Sequence, residues 1–253
     1  EQCAQTLIQV AQQIAHETDA HSIHWLCVNN EIPSSGLEPR ETIQFHWNNP
    51  SVDSFEDWLQ HFKSKDRKKM RAERRKAHQN IDHIESLSGF EISDEMISII
   101  WNCYQDTTQR KWGRPYLTRQ FFEELNQSLA SITRVFVAQK SNDVVAVSLC
   151  FERGKHLYGR YWGTLIDADS LHFEMCYHQP IEYCIQQGYT KFEAGAQGEH
   201  KLKRGLLPTQ VHSWHWLEHP GLHNSVSNFL QEERSAIRSN IEAYLKHSPL
   251  KEP

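Results

Sequence analysis

What this sequence lacks narrows its class before any motif is considered. No run approaches eighteen consecutive apolar residues, and the N-terminal stretch lacks the charged, apolar and small-residue succession of a secretory signal, so no membrane span is expected. The six cysteines, Cys3, Cys27, Cys103, Cys150, Cys176 and Cys184, are scattered, without the paired spacing of a zinc ribbon or the density of a disulfide scaffold. Reduced thiols and a cytoplasmic address are the expectation. G-x-S-x-G, G-x-x-x-x-G-K-[ST] and G-x-G-x-x-G are all absent, so the signatures of serine hydrolases, P-loop enzymes and dinucleotide binders are missing. His212, His215, His219 and His223 have spacings a metal could use, but a strand turns the first two to opposite faces and Pro220 interrupts the rest. No metal site is expected.

What is present is a chain of 253 residues, 38% hydrophobic, enough for one large core or two small ones. Its charge is unevenly placed. The net charge is −5, yet Lys63 to Lys76 holds nine Lys or Arg against Asp66 and Glu73, a local excess of seven positive charges that leaves about twelve negative ones elsewhere. The segment is made of good helix formers, and Ser54 stands as an N-cap before Trp58, Leu59 and Phe62, so one basic helix or two in succession is predicted. A charge run is commonly just a solvated helix face. Here the cations crowd several faces, and Lys68, Lys69, Arg71, Arg74 and Arg75 are candidates for contact with a polyanion. Without interleaved aromatics the segment suits a phosphate backbone better than base edges.

The second half is the best organised. Residues 134–139, 144–152 and 156–163 are rich in β-branched and aromatic residues and are punctuated by Ser-Asn-Asp and Arg-Gly-Lys, which predicts an antiparallel meander. A helix follows, from a cap at Asp169 or Ser170 to a stop at Gly188, kinked at Pro180. Strands over YTKFEAG and TQVHSWHWLE and a helix over NSVSNFLQEERSAIRSNIEAYL complete an α/β unit with a mixed, mostly antiparallel sheet and flanking helices. Two amphipathic helices, DEMISIIWNCYQDTTQ and TRQFFEELNQSLA, lead into it. Residues 1–50 supply a helix and two strands, too little to close a core alone.

LYGRYWG, LHFE, FEAGAQGEHK, RGLLP, and QFHWNN followed by the KSKDRKKMRAERR helix together resemble the bacterial FemAB-like proteins. These are predicted N-acyltransferases of the GNAT acyltransferase superfamily, often labelled peptidoglycan biosynthesis proteins. The likeness covers essentially the whole chain. More distantly, IEYCIQQGYTKFEAGAQGEHKLKRGLL is similar to the Fem signature of helix, glycine, short strand, glycine-rich stretch and a Phe-Lys before glycine, with Lys203-Arg204-Gly205 where that Phe-Lys-Gly stands. The resemblance implies a GNAT-like fold: the C-terminal part of a first module over 1–50, whose beginning precedes Glu1, a basic helical connector over 51–90, and a complete second module over 91–253. It implies an N-acyltransferase that moves an acyl or aminoacyl group from an activated donor to an amine, with a peptidoglycan precursor as a candidate acceptor. No tightly bound cofactor is expected.

In a GNAT-like sheet the strand after the central helix diverges from its neighbour and opens a cleft for donor and acceptor, here lined by FEAGAQGEHKLKRGLLP, residues 192–208. Gly195 and Gly198 allow backbone N–H groups to approach a phosphate or carbonyl closely, with Gln197 between them as a further substrate contact. Lys201, Lys203 and Arg204 can neutralise phosphate, Arg204 bidentately. Glu193 or His200 can take the proton from an attacking amine, and a backbone N–H or Lys203 can hold the developing oxyanion. Without the resemblance, the same loop is equally a structural turn carrying surface charge. Glu174 is either a substrate contact or an exposed helix carboxylate. Arg160 and Tyr161 alternate on a strand, so one of them is expected to face the cleft. Trp112, Tyr116, Tyr161 and Trp162 either stack an aminoacyl or sugar group or fill the core.

Two donors stay open. GTLIDADSLHF has no Q/R-x-x-G-x-G/A loop for the pyrophosphate of acetyl-CoA, and its aspartates repel phosphate. Fem proteins use aminoacyl-tRNA, and the basic helix suits an RNA backbone. The contrasting expectation is a non-catalytic protein of the same fold that holds nucleic acid or another polyanion on that helix.

Overall fold

Turn chemistry and burial account for the centre of the molecule. In the computed structural model, which describes residues 2–28, 36–110, 113–195 and 198–251, the elements in chain order are α1 (Gln2–Glu17), β1 (Ser22–Val28), β2 (Glu38–Asn48), α2 (Phe55–Gln60), α3 (Ser64–His78), β3 (His83–Ser88), α4 (Asp94–Arg110), α5 (Arg119–Glu123), β4 (Thr133–Lys140), β5 (Asp143–Arg153), β6 (His156–Thr164), α6 (Leu171–Phe173), α7 (Gln179–Gln186), β7 (Lys191–Glu193), β8 (Leu207–Leu217) and α8 (Pro220–Lys246). They sort into two compact units, one of Phe45–Leu207 with the residues from Ser248 onward, the other of the chain up to Gln44 with Pro208–His247.

In the larger unit the strand order is β2-β7-β6-β5-β4-β3, antiparallel throughout except between β6 and β7. The predicted meander is β4-β5-β6. Its first turn places both Ser141 and Asn142 at positive φ, the geometry whose twist matches a two-residue hairpin. Val135, Val137, Val147 and Leu149 bury against Ile97, Ile100 and Cys103 of α4 and Phe122 of α5. Phe136, on the other face, meets Tyr183 of α7. Covered on both faces, β4 and β5 are nearly continuous apolar runs rather than alternating ones. Gly163 lets α4 come close: a Cβ there would lie 2.5 Å from the Cys103 carbonyl oxygen.

The basic segment forms α2 and α3 in succession. Ser54 caps α2, its Oγ accepting the Asp57 N–H at 3.1 Å. The helix expected over 170–187 is three pieces: α6, a π turn over Glu174–His178, and α7 with Pro180 in its first turn. Pro180 has no N–H for the carbonyl four residues back, and in a first turn none is required, so the irregularity falls before the proline as a widened turn.

In the smaller unit the strand order is β1-β8-β2. β1 and β8 are antiparallel, from Ser22 opposite Leu217 to Val28 opposite His212. Ile8, Leu37 and Trp214 form its core. Arg40 pairs with Glu233 and Glu41 with Arg238, tying α8 to β2. This division differs from boundaries at 50 and 90 because β8 pairs with β1 and α8 is bonded to β2, which joins two distant parts of the sequence. The histidines of this region have separate tasks: His215 contacts His24 at 2.7 Å, His219 caps α8, and His223 lies 2.9 Å from Glu38. No helix among the described residues is long and apolar enough to cross a membrane.

Candidate active site

The site arises where β6 and β7 part. Three residue pairs hold these parallel strands together, His156 with Lys191, Leu157 with Phe192 and Tyr158 with Glu193. Beyond them β6 continues along β5 to Thr164, while the chain leaves β7. A cavity of about 1010 Å³ opens there, a size at the top of the range for small-molecule sites. β6 contributes Gly159, Arg160, Tyr161 and Trp162 to its wall, and the segment after β7 contributes Ala194, Gly198, His200 and Lys201. His172, Cys176 and Tyr177 come from the helical crossover, and Tyr104, Thr107 and Tyr116 from α4 and the chain after it.

His200 and Lys201 lie side by side in this wall with different electrostatics. The His200 Nε2 is 2.9 Å from the Tyr177 hydroxyl, and burial, with help from Arg204 and Lys201, lowers its pKa, so the ring is neutral at pH 7. Gly198, at φ +106, makes room for it: a Cβ would sit 2.3 Å from the His200 Cε1. Lys201 is 5% exposed. Its Nζ donates to the carbonyl oxygens of Ala194 at 2.5 Å and Gly195 at 3.0 Å. Among the described residues no carboxylate pairs with it, and its burial pushes its pKa down to about 8.

Several sequence expectations are corrected by these positions. Phe192 and Ala194 face the cavity, so strand alternation turns Glu193 to the opposite face. Its carboxylate lies 3.8 Å from both His46 and Lys191, outside the reach a proton acceptor in the cleft requires. The Gly195 carbonyl accepts from Lys201 and from the Phe45 N–H. Lys203 is exposed on the turn Glu199–Arg204, whose three-residue period carries Lys201 and Arg204 inward instead. Arg204 is no free phosphate ligand. It is 4% exposed, donates to the His200 carbonyl at 2.7 Å and Glu73 at 2.9 Å, and stacks 3.3 Å over the Phe173 ring.

Glu174 is fully buried rather than exposed or substrate-facing. Its carboxylate accepts from Arg74 at 3.0 Å, Gln179 at 2.7 Å and His78 at 3.2 Å. Burial alone would raise its pKa; the His78 hydrogen bond and the Arg74 charge outweigh that and take it down to about 2. Arg74 also bonds Glu182, so it is withdrawn from the polyanion-facing set. Met70, Arg74 and Ala77 form the inward stripe of α3 at helical spacing. Arg71 is partly neutralised by Glu56. Lys68, Lys69 and Arg75 are exposed and have no ion-pair partner among the described residues.

Arg160 and Tyr161 both line the cavity, against the alternation expected of them. Leu149 pairs with Tyr161 and Cys150 with Gly159, so Arg160 is the extra residue of a β-bulge, which re-aims it. Trp162 also lines the cavity, edge-on to His172. Gln197 and Trp112 lie outside the described residues. Sequence reasoning missed Cys176, Tyr177 and His172, because the π turn that aims the first two breaks the helical periodicity by which a face is assigned.

The molecule is thus of the mixed α/β class, with a mostly antiparallel sheet and a cleft where its parallel strands separate. The chain belongs to the FemAB-like family, described by peptidoglycan biosynthesis/recognition, which matches residues 1–252. Among solved structures it is similar to FemX, with a TM-score of 0.58 at 10% identity over 88% of this chain and 78% of that one. It is similar also to a conserved protein of unknown function from Bacteroides thetaiotaomicron VPI-5482, with a TM-score of 0.58 at 11% identity over 83% of this chain and 74% of that one. A GCN5-related N-acetyltransferase from Anabaena variabilis ATCC 29413 matches with a TM-score of 0.36 at 15% identity, over 85% and 50% of the respective chains. No curated protein matches the sequence.

Proposed function

We propose that this chain is an N-acyltransferase that moves an acyl or aminoacyl group from an activated donor to an amine on a peptidoglycan precursor. The observation that supports it is the adjacency of a neutral imidazole and a buried amine in one cavity. Acyl transfer needs a group to take the proton of the attacking nitrogen and a donor aimed at the oxygen that becomes an oxyanion. His200 takes the proton. Lys201, with two N–H groups held by Ala194 and Gly195, keeps its third for the acyl oxygen. The C–N bond then forms, the bond from the acyl carbon to the donor's oxygen or sulfur breaks, and His200 returns the proton to that leaving group.

For the donor, Lys68, Lys69 and Arg75 favour aminoacyl-tRNA over acyl-CoA, since exposed, unpaired cations suit an RNA backbone. The residues before α6 offer no phosphate cradle, as Asp169 is bound to Lys76. The test is transfer from aminoacyl-tRNA and, in parallel, from acetyl-CoA to a precursor peptide amine. His200→Ala is expected to lower kcat at least ~100-fold while tRNA binding persists. Unchanged kcat would overturn this reading, and tRNA binding without transfer by the unaltered protein would favour the non-catalytic alternative.

A further inference from the structure

The wall opposite His200 and Lys201 holds an arginine that is fixed in place without a carboxylate. Among the described residues, eight arginines, Arg74 and Arg204 among them, lie within 4 Å of an Asp or Glu. Arg160 has no such partner among the described residues. It is nonetheless held: its Nη2 donates to the Tyr116 hydroxyl at 3.1 Å and its guanidinium lies 4.8 Å from the centroid of the Tyr161 ring. The Tyr116 and Tyr161 hydroxyls are 2.5 Å apart. Tyr104 fixes both tyrosines, accepting the Tyr116 N–H at 3.1 Å and meeting the Tyr161 ring edge-on at 4.9 Å.

The hydrogen bonds of this trio do not balance. Whichever way the shared hydroxyl bond runs, one phenolic proton is left over, together with the guanidinium N–H groups that Tyr116 does not use. The surplus donors are oriented into the cavity and open to solvent, and no protein carboxylate competes for them, because the described residues lining the cavity include no Asp or Glu. The bulge that turns Arg160 into the cavity interrupts the strand register, so the arginine is aimed there at the expense of regular pairing.

We infer that Arg160, Tyr116 and Tyr161 form an oxyanion subsite that holds a carboxylate or phosphate of the acceptor while its amine lies toward His200. The acceptor is therefore an anionic amine, of the class of an amino acid or a peptide with a free acid group. The amine half rests on the acyl-transfer reading; the anion half stands on the geometry alone and is tested by equilibrium binding with no donor present.

The experiment is calorimetric or fluorescence titration of the protein with a short lysine-containing peptide as its free acid, the same peptide as its C-terminal amide, and inorganic phosphate. A carboxylate subsite predicts that the free acid binds about tenfold or more tightly than the amide, and that Arg160→Gln erases the difference. Arg160→Lys restores it only in part, because the bidentate fork is lost. Tyr116→Phe weakens the acid by a smaller factor. A phosphate subsite predicts instead that acid and amide bind alike while phosphate binds the unaltered protein and not Arg160→Gln. Because Arg160 is exposed, Arg160→Gln keeps the melting temperature, and His200→Ala, which stops transfer under the acyl-transfer reading, keeps the preference for the anion. Equal binding of acid and amide with no phosphate binding, or unaltered affinities in Arg160→Gln, would overturn the subsite.

Discussion

The basic helix α3 and the turn after Gly198 are both rich in cations, yet they use them in opposite ways. In α3 the inward cation, Arg74, meets the buried carboxylate of Glu174, and the outward ones, Lys68, Lys69 and Arg75, stay in water. In the turn two cations go inward. Arg204 finds Glu73, whereas the partners of Lys201 among the described residues are the carbonyl oxygens of Ala194 and Gly195. A buried cation paired with a carboxylate holds structure together and keeps its proton, whereas one paired with neutral dipoles is destabilised as an ion and has a proton to exchange. The comparison separates cations braced by carboxylates from a cation held by carbonyl oxygens, whose proton is the more easily lost.

Breaking the brace is expected to have the largest effect. Glu174→Ala leaves Arg74 and His78 facing a buried void and should cost about 3–5 kcal/mol of unfolding free energy, read from denaturant midpoints. The pH dependence follows from the sign of the shift. The folded pKa of Glu174, about 2, lies below its ordinary value of 4.5, so its stabilisation is complete above pH 4.5 and is lost as pH falls toward 2. Acid unfolding of Glu174→Gln should lack that component.

Lys201 should also make stability rise with pH, but in a higher window and for the opposite cause, since here the fold disfavours the charged form. Its folded pKa of about 8 lies below the ordinary 10.5, so the unfolded chain binds more protons between those values and stability contributed by this group rises with pH across the window, by ~3 kcal/mol in total. Lys201→Met should remove the rise, matching or exceeding the parent's stability near pH 7 while losing transfer activity. A Lys201→Met protein that is much less stable at pH 7 would erase the distinction between the two kinds of cation.

Smaller effects sharpen the outer surface of α3. Lys68→Ala and Lys69→Ala should each reduce the salt-dependence slope of tRNA binding by about one, and Arg74→Ala should act on stability rather than on that slope. Smallest of all, Lys203→Ala should change stability by less than about 0.5 kcal/mol and leave transfer unaltered, in keeping with its exposure.

Much of the fold was legible because its signals are local. The β4-β5-β6 meander is written in β-branched residues interrupted by Ser141-Asn142, and the α2 cap in Ser54. The pairing of β1 with β8 was not, since nothing in either strand names a partner nearly two hundred residues away. In the site, the strand carrying Phe192, Glu193 and Ala194 already contained the alternation that turns Glu193 away, but which face was the cleft depended on where β6 and β7 part. His200 stood out by its chemistry; Tyr177, which contacts it, did not, because a π turn sets its direction.

By itself, the sequence determined the mixed α/β class, the basic helix, the resemblance to the FemAB-like proteins and the stretch that brings His200 and Lys201 to the cavity wall. These depend on composition, short-range periodicity and motif order, all of which a linear chain carries. Only the tertiary structure decided which cation went to which partner: that Arg74 and Arg204 would meet Glu174 and Glu73, that Lys201 rather than Lys203 would be buried, and that a bulge would aim Arg160 at the cleft. Those outcomes depend on the low-dielectric interior and on strand register, where a shift of one residue exchanges one face for the other.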